Sequence, residues 1–425
     1  MNRTVYTLLY TLALPLMFLR LCWRSFKDTR YRQRWSERLA YYPTSRFANN
    51  KPNIVFHVVS VGEFHAAIPL IRACMMQNPD WMVTVTTMTV TGSARVREVF
   101  ADSVQHCYLP YDTPSAVKRF LKALQPRVLV LMETELWPNL IHYAHRQDCR
   151  LLLLNARLSE QSFRRYQKHA ALSRSMLENL DTVAAQFKKD ADRFERLGLS
   201  PHKLEVAGTM KFDQAADAEQ LKAGQAFRQD LARPVLVAGS TREGEEIKVL
   251  SAFKQVQEQI PELLLVLVPR HPERIGEVSR LLREQEMTFV LRSSRQMPRA
   301  KTQVLLGDSM GEMPFYYACA DVVFVGGSLV ATGGQNIIEP ALLGRPVVYG
   351  PSSYNFESVT ELLKSAGGLQ QVADEAELAQ VVLQLLQNTQ SRMSMVAAAQ
   401  QVVAQEAGAS QRQLALIQQA MHSDQ

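Results

Sequence analysis

The stretch Asp321–Pro351, DVVFVGGSLVATGGQNIIEPALLGRPVVYGP, decides how the rest of the chain is read. Val322–Val325 is a short, β-branched apolar run, the signature of a buried strand in a parallel sheet. It breaks into Gly326-Gly327 and then into a loop holding Gly333-Gly334. A helix follows near Asn336, and Pro346-Val347-Val348-Tyr349 opens the next strand. Strand, glycine loop, helix and strand make a βαβ unit whose loop and helix N-terminus can hold an anion. Asn336 with Glu339 three residues on has the spacing of a capping box. A capped helix with tight turns therefore accounts for the stretch about as well as a ligand loop does. Two glycine pairs in one loop favour close backbone approach by a ligand. The spacing is not G-x-G-x-x-G, so this is no dinucleotide fingerprint.

The chain has 425 residues, too many for one ordinary domain and suited to two, each with its own core. Lys plus Arg number 48 against 41 Asp plus Glu, a net charge of +7. That mild excess suits an anionic substrate, a membrane surface or nucleic acid, and its placement says more than its size. Arg20, Arg24, Lys27, Arg30, Arg32, Arg34 and Arg38 crowd one segment, opposed only by Asp28 and Glu37. Ahead of them Thr4–Leu19 carries no charge but is shorter than the ~20 residues that span a bilayer, and Pro15 interrupts it. No small-residue cleavage site follows, and the basic cluster lies after the apolar run, so a signal peptide fits poorly. Trp23, Tyr31 and Trp35 sit among the arginines as interfacial aromatics do. The expectation is an anchor in a cytoplasmic leaflet with arginines facing anionic head groups; the rival is a buried first helix with a solvated basic face. The five cysteines are odd in number, widely spaced and without metal or disulfide pattern, which favours a reducing compartment.

From Lys51 onward, strand and helix patterns alternate. Seven strand candidates run from Asn53–Val61 to Lys203–Ala207, and seven more from Pro234–Gly239 to Leu369–Val372. Strands alternating with helices mean parallel sheets, and two series mean two doubly wound domains. The weakly apolar 214–233 reads as the linker, which gives an anchor at 1–26 and domains at 27–213 and 234–425. The tail from Ala376 is Ala/Gln/Leu-rich helix with a break at Glu406-Ala407-Gly408. Ligands of open α/β sheets bind at the carboxyl ends of strands. At those ends stand Ser60-Val61-Gly62-Glu63, Glu133-Thr134-Glu135, Asn155-Ala156-Arg157 and Gly208-Thr209-Met210-Lys211. In the second series they are Ser240-Thr241-Arg242, Pro269-Arg270-His271, Asp308–Glu312 and the glycine loop. Functional groups gathered at one end of each sheet predict two domains facing across a cleft.

These residues carry a resemblance. The chain is similar to bacterial Kdo transferases, which move 3-deoxy-D-manno-octulosonic acid (Kdo) from CMP-Kdo onto lipid A precursor. Nearly the whole length is covered. The motifs are Ser60–Glu63, Thr86-Thr87-Met88-Thr89, Leu109-Pro110-Tyr111-Asp112, Met132–Pro138 (METELWP), Asn155–Arg157, Gly208–Asp213 (GTMKFD), Val268–Arg274 (VPRHPER) and Gly333-Gly334-Gln335-Asn336 with Glu339. Gln335 departs from the His that precedes this Asn in many relatives. The resemblance implies a GT-B glycosyltransferase fold of two Rossmann-like domains, the C-terminal one for CMP-sugar and the N-terminal one for the acceptor. It implies inverting transfer to lipid IVA in lipopolysaccharide core biosynthesis, without metal or cofactor, at the cytoplasmic face of the inner membrane. Partners are then CMP-Kdo, lipid A precursor and anionic inner-membrane lipids, and no nucleic acid.

Inverting transfer needs a base for the acceptor hydroxyl proton. Glu63 at the end of the first strand is the candidate, although a carboxylate there also suits a helix dipole. The resemblance marks Glu133 and Lys211 as transition-state stabilisers, Glu135 being the more structural of the two glutamates. A departing phosphate and a sugar carboxylate need fixed cations. Arg270 and His271 match CMP contacts, as do Met310, Gly311, Glu312, Asn336, Ile337, Ile338 and Glu339. Arg157 and Ser240 are well placed, with no assigned role. The competing readings are a UDP-sugar enzyme or epimerase of the same fold and a membrane-tethered nucleotide-binding protein without transferase activity.

Overall fold

The structure, a computed structural model, describes residues 1–43, 47 and 51–422. The chain divides into two compact units, Met1–Gln214 with Gly408–Gln425, and Ala215–Ala407. Each is built on a seven-stranded sheet in which every pairing is parallel. The first unit holds β1 (Asn53–His57), β2 (Met82–Thr87), β3 (Gln105–Tyr108), β4 (Pro126–Met132), β5 (Arg150–Ala156), β6 (Thr182–Ala185) and β7 (Leu204–Val206). Their order is β3-β2-β1-β4-β5-β6-β7, reversing direction between β1 and β4. The second unit holds β8 (Val235–Thr241), β9 (Leu264–Pro269), β10 (Phe289–Leu291), β11 (Val304–Leu306), β12 (Val322–Val325), β13 (Val347–Tyr349) and β14 (Gln370–Gln371). Their order is β10-β11-β9-β8-β12-β13-β14, with the reversal between β8 and β12. At such a reversal the loops leaving two neighbouring strands diverge and leave a crevice, which is where ligands of this architecture bind.

Side-chain alternation sorts the first sheet into two buried faces. Ile54, Phe56, Val128 and Val130 meet Phe64, Leu70 and Ile71 of the helix Val61–Gln77. Val55, Leu129 and Leu131 meet Phe120 and Leu121 of Pro114–Leu124 and Leu140 and Ile141 of Pro138–His145. In the second unit Leu236, Ala238 and Phe324 pack under Val249 and Phe253 of Glu246–Gln257.

Three expectations change. The segment 214–233 contains the helix Ala218–Leu231, part of the second unit. Gly224 lies so close to the helix Met313–Ala318 that a Cβ would come 2.4 Å from the Phe315 carbonyl oxygen, and Arg228 pairs with Asp321 at 2.9 Å. The C-terminal helices divide as well. Ala409–His422 joins the first unit, where Leu414, Ile417 and Met421 enter the core beside the helix Val61–Gln77. The break at 407–408 is real: Gly408 has φ +85°, and the Asp213 carboxylate accepts from the amides of Gly408 and Ser410, both at 2.6 Å.

The third change is at the N-terminus. The first helix runs unbroken from Arg3 to Lys27 through Pro15, 25 residues, and is long and apolar enough to cross a membrane. One face is fixed to the first unit. Arg3 and Thr7 donate to Asn139 Oδ1 at 3.1 and 3.0 Å, and the Phe18 ring stands edge-on to Tyr111. Leu8, Leu12, Leu16 and Leu19 on the other side are exposed. Arg20, Arg24, Lys27, Arg30 and Arg32 are exposed, whereas Arg34 and Arg38 turn inward. Both inward guanidiniums lie over the Tyr108 ring, and Arg34 pairs with buried Glu37 at 2.6 Å. Those two arginines serve the packing of the domain and cannot face lipid.

Candidate active site

The crevice of the first unit lies between the ends of β1 and β4, and Glu63 and Glu133 stand on its two sides. Ser60 caps the helix Val61–Gln77, and Glu63, three residues on, bends back to it. The Ser60 hydroxyl donates to Glu63 Oε1 at 2.8 Å, and the Val59 amide donates to Oε2 at 2.7 Å. Burial raises the Glu63 carboxyl above its ordinary range; the Val59 amide opposes that and the charge of Glu133 reinforces it. The helix-end carboxylate expected as the alternative is therefore present, in a capping box, and that box orients the same carboxylate that is the candidate base.

Glu133 follows β4 with φ +55°, Asn155 closes β5 with φ +49° and Ser240 lies in β8 with φ +59°. A left-handed backbone in a non-glycine residue costs on the order of 1–3 kcal/mol and gathers at functional sites. Here it falls at three strand ends that the sequence had already singled out. Asn155 Oδ1 accepts from the Met210 amide at 3.3 Å, which fixes the residue before Lys211. Burial pulls the Lys211 ammonium below its ordinary range, with Glu133 opposing the shift and Arg157 adding to it. Glu133, Lys211 and Arg157 thus share one electrostatic neighbourhood.

Glu135, expected as the more structural of the two glutamates, lies in the same neighbourhood. Burial, with the charges of Glu63 and Glu133 nearby, pushes Glu135 up to about 7, although the Trp137 indole donates to it at 3.0 Å. Glu135 can therefore hold a proton near neutral pH beside the Glu63 carboxylate.

In the second unit Arg270 and His271 follow β9, and the Arg270 amide donates to the Thr241 carbonyl at 3.0 Å. Arg270 is exposed, and Arg242 hydrogen-bonds His271 Nε2. Met310 and Gly311 are exposed, with Gly311 at φ +80°. Glu312 is committed to Arg292 at 3.0 Å and to the Ser309 hydroxyl. Asn336 Oδ1 accepts from the Ile338 amide at 3.1 Å, an Asx turn in place of the expected capping box, because the helix Ile338–Leu342 begins too late for Glu339 to reach back. Ile337 and Ile338 are wholly buried, and the Ile338 amide is already taken by Asn336. Glu339 is raised to about 7 by burial alone.

The glycine pairs have a different partner from the one expected. A Cβ on Gly326 would lie 2.8 Å from Glu245 Oε2, and one on Gly334 would fall inside the Tyr349 hydroxyl. The close approach is by the protein's own groups. Glu245, in the Gly244-Glu245-Glu246 run after β8, was not singled out from sequence, although its place beyond a strand end was a usable signal. Among the described residues no group of three or more His, Cys, Asp or Glu side chains is placed to hold a metal.

Two parallel seven-stranded sheets, each with polar groups at strand carboxyl ends, define a chain of two Rossmann-like α/β domains, the GT-B class of fold. Solved structures of similar fold include a glycosyltransferase from Rickettsia africae (10% identity, TM-score 0.62, 88% of this chain and 100% of that one). A UDP-GlcNAc 2-epimerase from Neisseria meningitidis is similar too (16%, TM-score 0.57, 83% and 98%). The family model for 3-deoxy-D-manno-octulosonic-acid transferase (kdotransferase) matches residues 33–214. The 3-deoxy-D-manno-octulosonic acid transferase of Haemophilus influenzae is 39% identical over 98% of both chains. That of Bordetella pertussis is 36% identical over 97% of this chain and 98% of its own. The chain belongs to the Kdo transferase family and is a glycosyltransferase.

Proposed function

We propose that this enzyme transfers Kdo from CMP-Kdo to lipid A precursor (lipid IVA), with inversion and without a metal ion. It does so at the cytoplasmic face of the bacterial inner membrane, in lipopolysaccharide core biosynthesis. The acceptor belongs to the first unit and the CMP-sugar to the second. The acceptor hydroxyl oxygen forms a bond to the anomeric carbon of Kdo, while the bond from that carbon to the phosphate oxygen breaks and its electron pair leaves with CMP. The hydroxyl proton passes to Glu63. Glu133 and Lys211 stabilise charge developing at the reacting sugar. Arg270 and His271 meet the nucleotide's anionic part, Met310, Gly311, Glu312 and the backbone of Ile337 and Ile338 line its bed, and Asn336 and Glu339 accept from or donate to its polar groups. The exposed apolar helix with its five exposed cations holds the chain on anionic lipid.

The observation that carries the reading is the Glu63 carboxylate, oriented by two hydrogen bonds at the crevice of the first sheet and made more basic by burial and by Glu133. Glu63→Gln keeps shape and removes basicity, so kcat falls by roughly two to four orders of magnitude. CMP affinity stays within error, whereas Arg270→Ala weakens it. CMP binding and Kdo transfer are measured side by side on both variants. Near-normal turnover in Glu63→Gln reduces Glu63 to a helix cap and makes Glu133 the next candidate. Loss of CMP binding in the same variant overturns the assignment of the donor to the second unit. Turnover lost on exhaustive chelation and restored by Mg²⁺ overturns metal independence.

A further inference from the structure

Glu245 is fully buried in the second unit, at the start of the helix Glu246–Gln257. Each of its carboxylate oxygens takes two backbone amides. Oε2 accepts from Gly327 at 2.6 Å and Arg242 at 3.1 Å; Oε1 accepts from Ser328 at 3.0 Å and Leu329 at 2.9 Å. Burial raises the carboxyl, and these four amides oppose that shift. A buried carboxylate satisfied by backbone dipoles is a fixed template for whatever backbone surrounds it.

The template reaches both halves of the nucleotide site assigned above. The carbonyls of Gly326 and Gly327, on the loop it holds, accept from the amides of Gln335 at 3.0 Å and Gly334 at 2.7 Å. Asn336 follows directly, with its Asx turn into Ile338 and Glu339. Ser328 locks the same loop from its other side, its hydroxyl donating to the Val325 carbonyl at 2.6 Å and accepting from the Gly350 amide at 2.9 Å. The fourth amide belongs to Arg242, whose side chain hydrogen-bonds His271. We propose that Glu245 is a positioning residue for the donor nucleotide, one carboxylate that sets the Asn336–Glu339 segment and the Arg242–His271 pair against each other.

This inference rests on the donor site of the proposed function, and the experiment separates the two. CMP affinity is measured by calorimetry on the full chain carrying Glu245→Gln, Arg270→Ala or Glu339→Gln, together with kcat and donor KM. In Glu245→Gln the new NH₂ faces two amide donors, so the loop holds its binding geometry only part of the time. CMP affinity and donor KM then worsen together by roughly tenfold to a hundredfold, in proportion to the lost competent fraction, while kcat at saturation changes little. Glu245→Asp, which keeps the charge, falls between parent and Glu245→Gln. A purely structural carboxylate lowers Tm and leaves CMP affinity of the folded variant unchanged, which overturns the proposal. If Arg270→Ala and Glu339→Gln also leave CMP affinity unchanged, the donor site itself is wrong. Should Glu245→Gln fail to fold, hydrogen exchange on the unaltered chain decides. CMP slows exchange at Gly327–Leu329 and Gly334–Gln335 if the proposal holds, and unchanged exchange there overturns it.

Discussion

Gln413 Oε1 accepts the amide of Asn155 at 2.8 Å, across 258 residues of sequence. Its Nε2 donates to the Gly208 carbonyl at 3.3 Å, and the side chain is wholly buried. The C-terminal helix thereby holds the end of β5 at Asn155 and the loop after β7 that leads to Lys211. Gln413→Ala leaves a buried N–H and a buried C=O unpaired, at about 1–3 kcal/mol each. A lower Tm accompanied by reduced turnover is expected from thermal denaturation and transfer assays. Unaltered stability would show that water replaces the glutamine at no cost.

Gly334 is the least replaceable glycine of the donor loop. Its φ is +74°, and a Cβ would come within 2.4 Å of the Tyr349 ring. Gly334→Ala combines overpacking with a left-handed backbone, a loss of about 3 kcal/mol or more. Gly367 has φ +78° with nothing within 4 Å of the same atom, so Gly367→Ala pays only the backbone term, about 1–2 kcal/mol. Equal losses for the two in denaturant titrations contradict the packing assigned around Gly334.

Glu339 gives stability a pH dependence with a definite sign. Burial raises its folded carboxyl from 4.5 to about 7, so between those values the folded state keeps a proton that the unfolded chain has released. This group's contribution therefore lowers stability as pH rises through that window, with the full penalty present above it. Glu339→Gln has no charge to bury. Its Tm relative to the parent should climb between pH 4.5 and 7 and level off above. A difference that stays flat across the window contradicts the burial assigned to this carboxyl.

Removal of residues 1–26 deletes the exposed leucine stripe and also the Arg3 and Thr7 hydrogen bonds to Asn139. Flotation on vesicles containing anionic lipid should show most of the shortened protein released, with transfer to detergent-dispersed acceptor retained and Tm lowered. Salt should weaken vesicle binding of the full chain, because Arg20, Arg24, Lys27, Arg30 and Arg32 remain exposed charges. A membrane-bound fraction unchanged by the deletion sinks the anchor.

Apolar runs such as Val322–Val325 and Val128–Met132 are local signals, and each of the fourteen strands among the described residues overlaps the segment expected for it. Strand ends were legible for the same reason, with Glu133 and Arg270 just beyond theirs, but the first strand, expected to reach Val61, stops at His57 and leaves Glu63 in the first turn of the next helix. Local pattern carries no record of distant partners. It could not reveal that Gln413 would bind Asn155, that Arg34 and Arg38 would close over Tyr108, or that Glu135 would share its charge environment with Glu63. The glycine loop shows the limit best. Gly326 and Gly334 announce close approach, because no side chain fits there, but whether ligand, carboxylate or tyrosine fills the space is set by what folding brings alongside. Here it brings Glu245 and Tyr349, from opposite flanks of the loop in sequence, because parallel pairing of β8, β12 and β13 lays their carboxyl ends together.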